Sequence, residues 1–257
     1  MEHWLTSPSL SSQELVPAVI KQDPIWENGA KTNLPKDRKA LFFDLFLRAV
    51  NFLILHEWAH HARSHIEFLK NKTGFNIIHE AFSRSKKTGG LLNLKRNIEF
   101  DADVHAIDIL TELIDEEVGS ITPTPGQISD EFYRQALAII CLFQLFDIKH
   151  DSIDQQYEES HPPSVHRAML CVHALATSFA EKYGWSKAQR IDEVDKAWYA
   201  SSQLAAFNAF PKGRWHGDSN ERMGEKRLET EINAYNKFSQ ELDLWNEQQN
   251  LRRASSG

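Results

Sequence analysis

Apolar residues recur at helical spacing through most of the chain. Between residues 37 and 70 they predict one long buried helix, or two joined near the middle. The apolar positions of this stretch are Leu41, Phe42, Leu45, Phe46, Val50, Leu53, Ile54 and Ala59. Similar patterns predict helices at about 95–117, 130–147, 163–183, 187–207 and 220–250. No continuous alternation of apolar and polar residues indicates a strand, so any sheet would be small and near residues 75–80. The predicted fold class is mainly α, or α+β with at most a small sheet.

Turn-forming residues divide the chain into three parts. Residues 1–36 are rich in Pro, Ser and Asn and predict an irregular N-terminal arm. Residues 37–207 carry the apolar helices and predict one domain. Residues 208–257 predict a linker followed by a charged amphipathic helix, and a partner-binding or self-association role for 220–250 stays open. Within the central part, the turn-rich segment 119–130 separates two helices, with Ser129 or Asp130 as candidate caps of the second.

Composition narrows the classes of function. The formal net charge of −7 argues against a nucleic-acid partner, which calls for a basic face. The most apolar windows, 40–55 and 136–146, are interrupted by charges or too short for a membrane span, and no signal peptide is apparent. Cys141 and Cys171 lie in apolar helical runs and predict buried thiols in a reducing compartment. We therefore expect a soluble, cytoplasmic protein.

The segment HEWAH, residues 56–60, fits the pattern H-E-x-x-H. On a helix, His56 and His60 lie one turn apart on the same face, so both imidazoles can reach one ion. Neutral imidazole is a good ligand for Zn²⁺. Glu57 lies beside that face and is placed to accept a proton from a water that the metal activates. The segment predicts two zinc ligands and a general base.

A catalytic zinc site needs a third ligand from the protein. The metzincin continuation of the motif fails, because Arg63 stands at its glycine position and Ile66 at its final histidine position. A glutamate on a following helix is the other common solution, and the segment EFDAD supplies it. Glu99 and Asp103 are four residues apart and share a helix face. Glu99 is therefore the candidate third ligand, and Asp103 the candidate acceptor for an N–H of a ligand histidine.

The neighbouring polar residues receive structural interpretations. Asp101 and Asp108 lie on other faces of their helix and are expected to be surface or capping charges. His61 and His65 are rotated away from the two ligand histidines, which predicts positions at the rim or surface. His105 is expected to contribute to helix packing, although an approach to the substrate cleft stays open.

Three motifs together resemble a known family. HEWAH, EFDAD and the later segment ESHPPSVHRAML, spread over residues 45–170, resemble gluzincin metallopeptidases of the HtpX and CAAX-protease type. Their signature is H-E-x-x-H, a downstream E-x-x-A-D and a His-Pro…Arg segment. The resemblance implies a zincin-like helical metalloprotease domain at 37–207. It further implies zinc ligands at His56, His60 and Glu99, a general base at Glu57, a supporting acid at Asp103, and His161 and Arg167 completing the site.

The last two residues each have two interpretations. Arg167 can hold the oxyanion of a tetrahedral intermediate, or pair with Asp103 and lock two helices together. His161 can serve the oxyanion in the same way, or cap a helix whose first residue is Pro162. The alternative oxyanion donors are His166 and Tyr157.

The sequence thus predicts a zinc-dependent metallopeptidase, a hydrolase that cleaves a protein or peptide substrate. HtpX-like and CAAX proteases are typically membrane proteins, whereas no membrane span is predicted here. Lit-type phage-exclusion peptidases of bacteria, which cleave a host protein, are soluble relatives that suit this difference. Two other hypotheses stay open: a catalytically silent zinc scaffold that binds proteins, and a helical protein without metal.

Overall fold

A computed structural model describes residues 36–74, 89–118, 123–146, 162–206 and 218–255. These ranges contain seven helices and no strand, which confirms the mainly α fold class. The helices are α1 Lys36–Ala62, α2 His65–Thr73, α3 Gly89–Val118, α4 Pro125–Phe146, α5 Ser164–Tyr183, α6 Lys187–Ala206 and α7 Asp218–Ser255. The small sheet predicted near residues 75–80 and the N-terminal arm before Lys36 lie outside the described residues.

Four helices surround the centre of the fold. α1 packs against α3 and α4, and α5 packs against the same two helices from the other side. α6 adds to the outer side of α4 and α5, and α7 packs on α3. The largest side chains of the shared core are fully buried, and they are Phe52, Ile107, Phe132, Phe143 and Phe179. This arrangement brings the C-terminal end of α1, which carries HEWAH, against the middle of α3, which carries EFDAD.

The long helical pattern over residues 37–70 is divided into two helices by a sharp turn. α1 ends at Ala62, and Ser64 adopts a left-handed backbone conformation with φ 56° and ψ 35°. Few residues other than glycine tolerate this conformation, and it stops the helix because the next N–H no longer points along the axis. α2 then begins at His65 in a new direction.

α1 is less buried than its apolar composition predicts. Leu45 and Ala59 are fully buried, but Phe46 is 40% exposed and Ile54 is 60% exposed. The prediction of a helix that is buried at its apolar positions is therefore wrong at these two residues. α1 contacts α2, α3 and α4, and the side turned away from those helices keeps its apolar residues accessible. No helix in the described part of the chain is long and apolar enough to cross a membrane.

α4 begins earlier than the sequence indicates and has a different cap. Thr124 accepts a hydrogen bond from the backbone N–H of Gln127 at 3.3 Å, and its own N–H donates to the Gln127 side chain at 2.9 Å. This reciprocal pair is a capping box. Ser129 and Asp130 therefore lie inside the helix, and neither caps it; the Ser129 hydroxyl instead donates to Glu193 of α6 at 2.7 Å.

Thr124→Ala is expected to lower the free energy of unfolding by about 1 kcal/mol, because the N-terminal N–H groups of α4 lose an acceptor. Urea unfolding followed by circular dichroism measures the difference. The control is Thr177→Ala, the same substitution within α5, where alanine is the better helix former and little loss is expected. Equal losses at the two positions would show that the capping box contributes nothing.

The C-terminal helix α7 packs its apolar face against its own chain. Phe238 and Leu242 are buried together with Phe68 and Leu69 of α2 and Ile98 of α3. The amphipathic pattern is thus explained by intramolecular burial. Leu244 and Leu251, at 60% and 71% exposed, lie on the remaining surface of the helix. A partner or self-association role for 220–250, like the domain limits, stays a prediction.

Both cysteines are buried and free. Cys141 lies in α4 and Cys171 in α5, and each is fully buried. Burial raises the pKa of both thiols, so they are protonated at neutral pH and poor nucleophiles. The prediction of buried thiols without a disulfide is confirmed.

Candidate metal centre

Three potential ligand atoms converge between α1 and α3. Nε2 of His56 lies 3.3 Å from Nε2 of His60. The Glu99 carboxylate approaches both, with Oε2 3.6 Å from Nε2 of His56 and Oε1 3.9 Å from Nε2 of His60. Atoms that bind one tetrahedral Zn²⁺ at about 2.0–2.2 Å stand roughly 3.3–3.6 Å apart. Two of the three separations lie within this range and the third, 3.9 Å, is longer, so the structure brings the three residues predicted as ligands together as a possible metal-binding group.

Asp103 lies directly behind His56. Oδ1 of Asp103 is 2.8 Å from Nδ1 of His56, on the side of the ring opposite the ligand atom. Burial would raise the pKa of Asp103, but the charge and hydrogen bonds of Arg167 and the contact with His56 lower it below its ordinary value. An ionised carboxylate can only accept, so the His56 proton belongs on Nδ1 and its Nε2 carries a free lone pair. This is the tautomer that a metal ligand needs.

His60 is neutral in the absence of metal. Its pKa is lowered to about 4, chiefly by desolvation and also by the neighbouring His56 and His65, although Glu99 and Asp103 act in the opposite direction. A neutral imidazole retains the lone pair that a metal requires. The rings of His56 and His60 and the buried carboxylate of Glu99 (6% exposed) therefore meet at one point.

Arg167 joins α5 to the same group of residues. Its Nε and Nη2 each donate to Asp103 at 2.7 Å, and its Nη1 lies 3.5 Å from Oε2 of Glu99. The guanidinium also lies over the ring of Phe143, 4.9 Å from the centroid. Burial opposes the charge on Arg167, but Asp103 and Glu99 raise its pKa above the ordinary value. These contacts favour the interpretation that Arg167 pairs with Asp103 and locks the helices; a role at the oxyanion stays a prediction.

Among the acids of the HEWAH and EFDAD segments, Glu57 is the one exposed to solvent. It follows His56 on α1 and is exposed, whereas the carboxylates of Glu99, Asp101 and Asp103 are buried. An exposed carboxylate next to two buried ligand histidines can receive a proton from a substrate water and exchange it with solvent. The structure thus separates the acids into buried ones that are tied to histidine or arginine and one that can take part in proton transfer.

Of the candidate oxyanion donors His161, His166 and Tyr157, the structure describes His166. His161 and Tyr157 lie outside the described residues. α5 begins at Ser164 with Pro163 at its N-cap, so Pro162 is not its first residue and His161 does not cap it. His166 is buried, and its Nδ1 lies 2.6 Å from Oε2 of Glu231 on α7. This pairing ties His166 to the C-terminal helix.

Two residues that the sequence assigns to the surface belong to the buried site. His65 is fully buried and Asp101 is 2% exposed. Nδ1 of His65 lies 2.9 Å from Nδ1 of His60, and its Nε2 lies 2.9 Å from Oδ2 of Asp101. The predictions are wrong because they assume an unbroken helix and a single buried face on α3. The turn at Ser64 redirects α2, and α7 covers the second face of α3. Neither the turn at Ser64 nor the packing of α7 on α3 has a local signal in the sequence. Serine is uncommon in the left-handed conformation, so its presence does not indicate a turn.

The predictions for His61, Asp108 and His105 agree with the structure. His61 and Asp108 are exposed, as expected for surface residues. His105 of α3 stacks on the ring of Trp58, with centroids 6.3 Å apart and planes 8° from parallel. Trp58 is 52% exposed, so the stack lies at the surface beside Glu57 and links α1 to α3. This contact agrees with the helix-packing interpretation of His105.

The chain was compared with known families, curated proteins and solved structures. A family model described as Peptidase U49 matches residues 12–188, more than half of the 257 residues. The matched range includes HEWAH, EFDAD and Arg167. No curated protein and no solved structure matches. The site geometry and the family model together indicate a peptidase, that is, a hydrolase whose substrate is a protein or peptide. The chain belongs to the peptidase U49 family.

Proposed function

We propose that this peptidase is a zinc-dependent metallopeptidase. The observation that carries the proposal is the convergence of His56, His60 and Glu99, whose nearest ligand atoms are 3.3, 3.6 and 3.9 Å apart. Two imidazoles and one carboxylate form a ligand set found in catalytic zinc sites, which leaves the fourth position for water or substrate. Zinc suits this mixture of nitrogen and oxygen ligands better than magnesium or calcium, which prefer oxygen alone.

The proposed reaction is hydrolysis of a peptide bond. A zinc ion held by the three ligands would supply Lewis acidity, making water more acidic and the scissile carbonyl more electrophilic. Glu57 takes the proton of the attacking water and returns it to the amine that leaves. Asp103 keeps the His56 proton on Nδ1, and Arg167 holds Asp103 ionised. His161 stays a candidate for stabilising the oxyanion.

Metal analysis of the purified protein tests the site. We expect about one equivalent of zinc per chain, and at least a hundredfold loss of zinc affinity in Glu99→Gln, because one anionic ligand is removed. Inductively coupled plasma mass spectrometry gives the content, and competition with a chromophoric chelator gives the affinity. Asp108→Asn is the matched control, since it neutralises an exposed acid on the same helix. Absence of zinc binding in the wild type would refute the zinc assignment.

Peptidase activity and metal are then tested together. Proteome fragments are compared by mass spectrometry after treatment with the zinc-loaded protein, the chelated protein and the chelated protein with zinc restored. We expect new peptide termini in the first and third samples alone. Identical termini in all three samples would show a peptidase that does not use this metal.

The substrate is proposed from the family and the compartment from the cysteines. The peptidase family implies a protein or peptide substrate, and a single host protein, as in Lit-type peptidases, is the narrower hypothesis. Two buried thiols without a disulfide support a cytoplasmic location. The fragments from the experiment above distinguish one cleaved protein from general proteolysis.

A further inference from the structure

A second buried chain of polar groups reaches the candidate metal centre through His60, whereas Asp103 contacts His56. Asp101 contacts Nε2 of His65 at 2.9 Å, and Nδ1 of His65 contacts Nδ1 of His60 at 2.9 Å. Asp101 and His65 are at most 2% exposed, so no bulk water competes for these bonds. The proposed function leaves this chain without a role.

The chain has a direction, which the chemistry of Asp101 sets. Arg63 donates to both carboxylate oxygens, at 2.8 and 3.2 Å. Two donors from one guanidinium, one to each oxygen, are the contacts of a carboxylate rather than of a carboxylic acid. The ionised carboxylate accepts, so Nε2 of His65 donates to it. With its proton on Nε2, His65 presents the lone pair of Nδ1 and accepts the Nδ1 proton of His60.

The direction of these hydrogen bonds determines whether Nε2 of His60, the candidate ligand atom, carries a proton. With its proton on Nδ1, His60 presents a lone pair on Nε2 towards His56 and Glu99. The opposite tautomer would direct an N–H of His60 at Nε2 of His56, 3.3 Å away, and would block a metal. The tautomer of His60 therefore decides whether its Nε2 can bind a metal ion.

We infer that His65 and Asp101 are positioning residues that hold His60 in the tautomer able to bind the metal. The inference rests on the proposed metal site and extends it. Each ligand histidine is then oriented by a carboxylate, His56 directly by Asp103 and His60 through an intervening imidazole. Outer contacts of this kind orient the ligand ring and increase its basicity.

The local backbone explains how His65 comes to be there. On a continuous helix, five residues correspond to a rotation of about 140° away from His60. The left-handed Ser64 ends α1 and turns His65 back towards that ring. Strained backbone of this kind persists where the surrounding structure holds it.

The C-terminal helix supports the same turn. Arg63 pairs with Asp243 of α7 at 2.8 Å, and Asn246 of α7 donates to the Arg63 backbone oxygen at 3.3 Å. The guanidinium that orients Asp101 is therefore itself held from α7. The positioning chain thus runs from the last helix to the metal centre.

The test measures zinc affinity at one fixed pH in three variants. His65→Phe keeps a ring but removes both nitrogens, and we expect zinc to bind about 10–100-fold more weakly. His65→Gln, whose amide can donate to Asp101 and accept from His60, is expected to recover part of that loss. His61→Phe changes an exposed neighbour and is expected to bind as the wild type does. Circular dichroism of the metal-free proteins confirms that each variant is folded.

A second measurement reads the tautomer without any variant or metal. Long-range ¹H–¹⁵N correlation spectra of the metal-free wild type show which nitrogen of His60 carries the proton. A proton on Nδ1 supports the inference and a proton on Nε2 overturns it. Zinc affinity of His65→Phe equal to that of the wild type also overturns it, while leaving the zinc peptidase proposal intact. If the wild type binds no zinc, that proposal fails, and the His60 tautomer still decides the inference.

Discussion

Glu57→Gln is expected to lower the rate of peptide hydrolysis by a factor of about 10²–10⁴, the usual contribution of a general base. The amide has nearly the same size as the carboxylate but cannot accept the proton of the attacking water. Zinc content and thermal stability are expected to stay unchanged, because Glu57 is exposed and is not one of the three converging ligands. Fragment formation from a proteome and the zinc content of the same preparations measure both effects.

The matched control is Glu67→Gln, which makes the same change at an exposed position on α2. It is expected to cleave at the wild-type rate. Equal activity of Glu57→Gln and wild type would remove Glu57 from the mechanism. A wild type that binds zinc but releases no more fragments than a sample without enzyme would instead support the catalytically silent scaffold. The sample without enzyme distinguishes the two results, because the first requires fragments above that baseline and the second requires none.

Arg167→Met is expected to lower the free energy of unfolding by about 3–5 kcal/mol, a large share of the 5–15 kcal/mol typical of a domain. The substitution leaves the carboxylate of Asp103 fully buried without its bidentate partner. Asp103 also holds His56, so zinc affinity is expected to fall with stability. Denaturant unfolding of the metal-free protein isolates the first effect, and chelator competition measures the second.

Lys182→Met is the control for this loss. Lys182 pairs with Glu112 and Asp115 at the surface, and such pairs contribute less than about 1 kcal/mol. The double variant Arg167→Met with Asp103→Leu is expected to be more stable than Arg167→Met alone, because the Asp103 carboxylate is no longer buried without its partner. Equal stability losses in Arg167→Met and Lys182→Met would show that the buried pair does not hold α5 against α3.

Most of the helices could be predicted from the chain because their signals are local. Apolar spacing indicated α5 and α6 to within one residue, since Pro163 and Gly184 mark the ends of α5. The predicted start of α4 was wrong because Thr124 and Gln127 form a capping box and Pro125 is the first helical residue. The end signals of α5 and the capping box of α4 both involve only residues close together in the sequence.

The burial of α1 could not be predicted in the same way. An apolar residue is buried only if another element covers it, and periodicity does not say how many elements will pack on a helix. Phe46 and Ile54 fit the apolar pattern as well as Leu45 does, yet they face away from α3 and α4. The pattern identifies a helix, whereas its neighbours decide which of its faces become core.

The sequence by itself determined the parts of the candidate site that depend on helix geometry. Four-residue spacing puts His56 beside His60 and Glu99 beside Asp103, whatever the rest of the fold does. Only the tertiary structure decided that these two pairs meet and that Arg167 joins them. It also decided that His65 and Asp101 are buried behind His60. These two residues depend on a left-handed serine and on a helix more than a hundred residues later in the chain, and contacts at that separation leave no periodic signal in the sequence.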